Sequence, residues 1–371
     1  MNANNLPEIR KALEQIKPYV PGKPIEEVER ELGIKDVIKM ASNENPLGPS
    51  PKAMEALQRA LTKLNFYPDG ASYYLRQAIA EHNGVDAGQV LVGNGSDEII
   101  KMIAETFINP GDQAVIAKPT FSEYDFAVTL MGGESRLVDC VDFRHDLKGM
   151  LKAITPQTKI VFICNPNNPT GTIVSKTQIQ EFMSQLPEGV LVVFDEAYYE
   201  YVDDPAYVSG LEFVRQGLKN VIVLRTFSKI YGLSGLRVGY GLAHPELIQW
   251  INRAREPFNV NLLGQIGARA ALADQEFLAE SRAQNAAGKA FLYNCFEEMG
   301  LKYWLTQTNF IWVQIKTDSQ SVFQKLLREG VIIRTGDIFG FPDFIRVTIG
   351  TEEQNKGFIT ALKKVLETVL V

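Results

Sequence analysis

A mostly parallel, doubly wound α/β sheet, followed by a smaller α+β unit, is the fold that the sequence predicts. Three observations predict it. Between about residues 90 and 245 seven short runs rich in β-branched residues recur: "QVLVGNG", "DQAVIAKP", "SRLVDCV", "KIVFICNP", "VLVVFDEAY", "NVIVLRTFS" and "RVGYGLAH". Several are apolar without alternation, as strands covered on both faces are. Helical patterns such as "SDEIIKMIAETFI" and "SKTQIQEFMSQL" separate most of them, so consecutive strands run parallel through crossover helices. After about residue 262 the rhythm changes. A long helical stretch, roughly 263–298, precedes "NFIWVQI", "GVIIRTG" and "FIRVTIG", and "TEEQNKGFITALKKVLETVL" closes the chain as a helix.

In chain order, residues 1–40 read as an arm that packs with the small unit. A short amphipathic helix ("LPEIRKALEQIK"), a turn ("PYVPGKP") and a second helix ("IEEVERELG") make it up. Residues 41–262 form the large domain and 263–371 the small one. A chain of 371 residues exceeds one compact core, so two domains are expected. The large domain opens on "ASNENPLG", where Pro46 fixes one φ and Gly48 admits values closed to other residues. That octet is a shaped turn.

Composition excludes several functions. The net charge of −6 argues against a nucleic-acid partner, which wants a basic face. Cys140, Cys164 and Cys295 form no CxxC pair and read as reduced core residues of a cytoplasmic protein. The three histidines are scattered, which disfavours a histidine metal site or a Ser-His-Asp triad, and no metal is expected. No secretory leader is visible at the start, and no apolar run approaches the ~18 residues of a membrane span.

In an open parallel sheet, ligands bind beyond the carboxyl ends of the strands. "VLVGNGSDEII" is strand, glycine turn and helix. Gly93 and Gly95 let backbone approach a ligand, and the N–H groups at Ser96 and Asp97 suit an anion. The same residues also suit a plain helix cap. Glu98 stands where a dinucleotide fingerprint needs its third glycine. "VVFDEAYYEY" ends a buried strand with Asp195 and Glu196. It resembles a Walker B strand, but the chain has no GxxxxGK[ST]. "VIVLRTFSKIYGLSGLRVGY" sets Lys229 among Thr226 and Ser228, with Arg237 eight residues on. A partly buried amine there would have a lowered pKa and could bond a carbonyl. "ICNPNNPTG" puts Asn168 at another strand end, and Tyr67 and Tyr124 are loop aromatics that could stack on a ring, bond a phosphate or pack in the core. An anion cradle, an amine, a carboxylate, an amide and aromatic rings are together what pyridoxal phosphate needs.

With these residues assembled, the chain resembles the fold-type I aminotransferases, and among them the histidinol-phosphate aminotransferase family. "YPDG", "NPNNPTG", "DEAY", "TFSK" and "GLRVGY" occur in that family's order and approximate spacing. The resemblance implies transfer of an amino group between L-histidinol phosphate and 2-oxoglutarate in histidine biosynthesis. An aromatic amino-acid aminotransferase on the same scaffold is the alternative. By the resemblance, Lys229 bonds pyridoxal phosphate and moves the proton, and Asp195 pairs with the pyridine nitrogen. Tyr198 and Asn168 bond the ring hydroxyl, and Tyr124 stacks on the ring. Gly95, Ser96, Asp97, Thr226, Ser228 and Arg237 hold the phosphate. Tyr67 reaches the phosphate of a neighbouring subunit, which implies a homodimer with shared sites. Arg346 grips the substrate's anionic group, with Tyr19 and Arg334 near it, and Asn43 and Asn45 line the substrate entrance.

Overall fold

All seven runs between residues 90 and 245 are strands of one sheet in the computed structural model, which describes residues 7–18 and 22–369. The strand order is Val90–Gly93, Gly239–Ala243, Val221–Thr226, Leu191–Asp195, Thr158–Cys164, Gln113–Lys118 and Glu134–Asp139. Gly239–Ala243 is antiparallel to both neighbours, and the remaining pairings are parallel.

Period-two alternation explains why the central strands look apolar throughout. Val192, Phe194, Val221 and Val223 pack into a core on one face, whereas Leu191, Val193, Ile222 and Leu224 pack into a second core on the other. Helices Ser96–Phe107 and Glu123–Leu130 cover the second face. Asp195 continues the 191, 193 series and so points to that same face.

The long helical stretch after 262 is two helices, Leu262–Leu272 and Gln275–Glu298. The break falls at Ala273–Asp274, where the buried Asp274 carboxylate accepts from the Ser50 hydroxyl at 2.6 Å and the Lys52 N–H at 3.3 Å. Ala268 and Ala271 of the first helix join the core of the large sheet; Leu292 and Phe296 of the second join the core of the small one. The small sheet is antiparallel, in the order Arg334–Thr335, Phe344–Thr348, Phe310–Gln314 and Lys302–Tyr303.

In the arm, Ile25–Leu32 is helical and buries Val28 against Leu327 and Ile332, and Ile38–Lys39 pairs in parallel with Val331–Ile332. The first arm helix is shorter than its sequence pattern, spanning only Lys11–Glu14 with no buried residue. Short helices depend on a packed face, and this one has only a light contact with Glu123–Leu130, where Arg10 donates to the Leu130 carbonyl at 2.8 Å.

Candidate active site

The carboxyl ends of Thr158–Cys164, Leu191–Asp195 and Val221–Thr226 meet the octet turn and the small sheet around a cleft of about 220 Å³. Of the residues expected there, Asn43, Ser96, Asp97, Asn168, Asp195, Tyr198, Thr226, Ser228, Lys229, Arg237, Arg334 and Arg346 all line it.

Lys229 stands three residues beyond its strand and is half-buried. Its Nζ lies 3.4 Å from the Ser42 carbonyl and 5.6 Å from the centre of the Tyr198 ring. Burial, aided by the positive charges of Arg346 and Arg237 and opposed by Asp97 and Glu44, pushes its pKa down to about 8. Asp195 is buried, with Oδ2 accepting from the Tyr124 hydroxyl at 2.7 Å and Oδ1 from the Ala197 N–H at 3.1 Å. Burial raises its pKa to about 6; these two hydrogen bonds oppose the rise, and the charges of Asp97 and Glu196 add to it.

On the opposite wall, Gly95 has φ +84°, and a Cβ there would lie 2.6 Å from Arg237 Nη2. The helix Ser96–Phe107 therefore begins with no side-chain cap, leaving its first N–H groups directed at the cleft. Arg237 reaches Ser228 Oγ at 3.3 Å and is steadied by Asp97 Oδ2 at 3.0 Å. Thr226 accepts from the Ser228 N–H at 3.1 Å and holds that turn. A side chain at Gly239 would also strike Ser96 N, at 2.4 Å. Two glycines thus keep open a donor-rich hollow whose chemistry fits a phosphate dianion. With an amine, a carboxylate and an amide in the same cleft, the residues present fit pyridoxal phosphate.

Arg346 is buried; it donates to Asn168 Oδ1 and to the Ala41 carbonyl, each at 2.6 Å, and lies 5.2 Å from the centre of the Phe310 ring. Arg334 is its direct cross-strand partner. Two like charges opposite each other on adjacent strands repel, so the pair suits an anion between them. Asn43, at φ +58°, donates to the Tyr198 hydroxyl at 2.9 Å and accepts from Thr348 at 3.2 Å, which ties the octet turn to both sheets.

Several expected residues sit elsewhere. Tyr124 does not stack in the cleft: it is fully buried, its ring 4.7 Å from that of Phe162. Its place on a helix explains this, since Tyr124, Ala127 and Val128 follow the i, i+3, i+4 spacing of a buried face. The aromatic residue of this segment that lines the cleft is Phe121, just after "KPT" at the end of Gln113–Lys118. Phe121 was missed because it has no polar handle; its position at a strand end was the available signal. Asn45, expected at the substrate entrance, does not line the cleft. It lies outside the cleft, where Nδ2 donates to the Ile230 carbonyl at 2.7 Å and Ser281 Oγ at 2.9 Å, and Oδ1 accepts from the Leu47 N–H at 3.0 Å. It pins the backbone next to Lys229. Tyr67 is 82% exposed and stacks on Phe258 at 4.7 Å, away from the cleft of its own chain. Tyr19 lies outside the described residues. Among the described residues, no group of three His, Cys, Asp or Glu side chains could hold a metal ion, and no helix is long and apolar enough to cross a membrane.

Comparison with known proteins agrees with this geometry. The family profile described as aminotransferase class I and II matches residues 35–362. Histidinol-phosphate aminotransferase from Moorella thermoacetica is 59% identical over 97% of this chain and 94% of its own. Histidinol-phosphate aminotransferase 2 from Carboxydothermus hydrogenoformans is 49% identical over 97% and 99%. A solved structure of histidinol-phosphate aminotransferase from Sinorhizobium meliloti, in complex with pyridoxal-5'-phosphate, is 28% identical with a TM-score of 0.91, covering 99% of each chain. The match spans both sheets and every strand end that lines the cleft, and the chain belongs to the class I and II aminotransferase family.

Proposed function

We propose that this protein is a pyridoxal phosphate-dependent aminotransferase that interconverts L-histidinol phosphate and 2-oxoglutarate with imidazole-acetol phosphate and L-glutamate. The observation that carries the substrate is the cross-strand pair Arg334 and Arg346, two cations facing the cleft that holds Lys229. The names of relatives up to 59% identical favour the phosphate ester over an aromatic amino acid.

When bound, pyridoxal phosphate supplies an aldehyde carbon for amine exchange and a ring that takes up electrons from the deprotonated substrate carbon. Lys229 would bond that aldehyde carbon and, as a free amine, would hold and move the proton at the substrate carbon. Asp195 would pair with the pyridine nitrogen and would keep it protonated. Tyr198 and Asn168 would hold the ring hydroxyl, and Phe121 would cover one ring face. The Ser96 and Asp97 N–H groups, Thr226, Ser228 and Arg237 hold the phosphate, with Gly95 keeping the hollow open.

A phosphate ester carries close to two negative charges near neutral pH, whereas a carboxylate carries one. One arginine can fork onto either anion, and a dianion in a closing cleft wants the second. A charge-assisted contact is worth about 1.5–3 kcal/mol, or roughly 10- to 150-fold in kcat/KM. Arg334→Ala is expected to lower kcat/KM by that factor for histidinol phosphate and far less for glutamate or phenylalanine. Arg346→Ala is expected to lower it for all three. Steady-state kinetics on both variants test this; equal losses for Arg334→Ala across substrates would remove the phosphate-specific role.

A homodimer with shared sites is part of this reading. The exposed Phe66 and Tyr67, at 68% and 82%, lie in one segment with the exposed Leu64, Tyr73 and Tyr74, an apolar surface that a second copy would cover. If Tyr67 serves the partner's phosphate, mixing Tyr67→Ala with Lys229→Ala protein is expected to restore about a quarter of wild-type activity, since half of randomly exchanged dimers hold one intact site. Exchange confirmed by mass without recovered activity would put Tyr67 outside the shared site. The division into an arm (1–40), a large domain (41–262) and a small one (263–371) also belongs to the proposal. The packing of Leu262–Leu272 in the core of the large sheet favours an inner boundary further on, within Gln275–Glu298. A cytoplasmic location accords with the free thiols of Cys140, Cys164 and Cys295.

A further inference from the structure

Tyr124 is buried too deeply to touch a ligand in the cleft, yet it bonds Asp195, a carboxylate that lines the cleft. We propose that Tyr124 is a positioning residue that acts through Asp195, holding that carboxylate turned toward the pyridine nitrogen. The inference rests on the cofactor reading above.

The geometry follows from the sheet. Residues 191, 193 and 195 point to one face, and Glu123–Leu130 covers that face. Tyr124 is wedged there: its ring stacks on Phe162 at 4.7 Å and 13° and meets Phe121 edge-on at 5.7 Å. So packed, Tyr124 aims its hydroxyl at Asp195 Oδ2, 2.7 Å away. The Ala197 N–H holds the other oxygen at 3.1 Å. A carboxylate with one donor fixed on each oxygen keeps lone pairs only for the open side. The same phenol supports Phe121 from behind, so one buried side chain braces both the floor and one wall of the cleft.

The hydrogen bond also favours the ionised carboxylate. Burial pushes Asp195 up, and the negative charges of Asp97 and Glu196 push the same way, while Tyr124 and the Ala197 N–H oppose them. Cys164, its register partner on the neighbouring strand, is pushed up to about 12 by burial and remains a neutral thiol. Tyr198, raised by burial, likewise stays neutral, and Lys229 brings the nearby positive charge.

Tyr124→Phe removes the hydroxyl and keeps the stack. Binding of pyridoxal phosphate to the full-length protein, stripped and then titrated with cofactor between pH 5 and 9, is the readout. Affinity is expected to fall about 10- to 100-fold at neutral pH, the range for a lost hydrogen bond to a charged group. The acid limb of the binding profile is expected to move to higher pH, because the carboxylate loses a donor to its charged form. Titrations of the cofactor itself are common to both proteins and cancel. In an Asp195→Asn background Tyr124→Phe is expected to add little, since both act through one group. 3-Fluorotyrosine placed at 124 keeps the fold whatever Tyr124→Phe does, and its more acidic phenol is expected to move the limb to lower pH. An unmoved limb in either protein, or full additivity with Asp195→Asn, overturns the inference. Asp195→Asn with wild-type cofactor affinity and turnover would instead overturn the underlying cofactor reading.

Discussion

Lys229→Ala protein is expected to turn over about 10²- to 10⁴-fold more slowly, or worse, while still binding pyridoxal phosphate without a covalent bond. Positioned proton transfer alone accounts for that range, and in the proposed role Lys229 would also make the covalent attachment. The rest of the hollow does not depend on it: Arg237, Ser228 and Thr226 keep their own contacts. Its amine, with a pKa lowered to about 8, is largely protonated below that pH and neutral above it. Covalent capture of cofactor by the wild-type protein is therefore expected to rise through about pH 8 and then level. Borohydride fixation followed by intact mass, over a pH series, measures the rise. A variant that retains more than a tenth of wild-type turnover would exclude Lys229 from the role.

Asp195→Ala is expected to lose most activity even at saturating cofactor. The neighbours of Asp195 do not replace its carboxylate: Cys164 is a neutral thiol, and Glu196 faces away, bound in a buried pair with Arg225 at 2.9 Å. A pyridine nitrogen without an anionic partner has little reason to hold its proton at neutral pH, so the ring accepts electrons less well. The loss is expected to fall on kcat, with modest change in KM, because the interaction matters most as charge develops. Wild-type kcat with cofactor saturated would sink the assignment.

The inner strands were legible because burial on both faces leaves a continuous apolar run, and that run survives in sequence whatever its neighbours are; Glu134–Asp139, at the sheet edge, is mostly exposed and showed only a short apolar pair. Lys229, Asp195, Asn168 and the Ser96 turn were legible because each follows such a run, where a parallel sheet opens its binding edge. The strand order was not legible, nor was the antiparallel insertion of Gly239–Ala243, because no local pattern records which strands become neighbours. The break at Ala273–Asp274 depends on Ser50, more than two hundred residues away.

The sequence by itself determined the kinds of group at each strand end, and hence the chemistry. Only the tertiary structure decided which groups face the cleft. Tyr124 and Phe121 are three residues apart, and both are aromatic. The helix Glu123–Leu130 turns Tyr124 inward beneath Asp195 and leaves Phe121 before its first turn, at the cleft wall. Asn43 and Asn45 stand two apart in one turn. Asn43 bonds Tyr198 inside the cleft, and Asn45 bonds the Ile230 carbonyl outside it. A side chain's direction is set by the backbone that carries it and the surfaces packed around it. Those surfaces come from distant parts of the chain, so they exist only once it has folded.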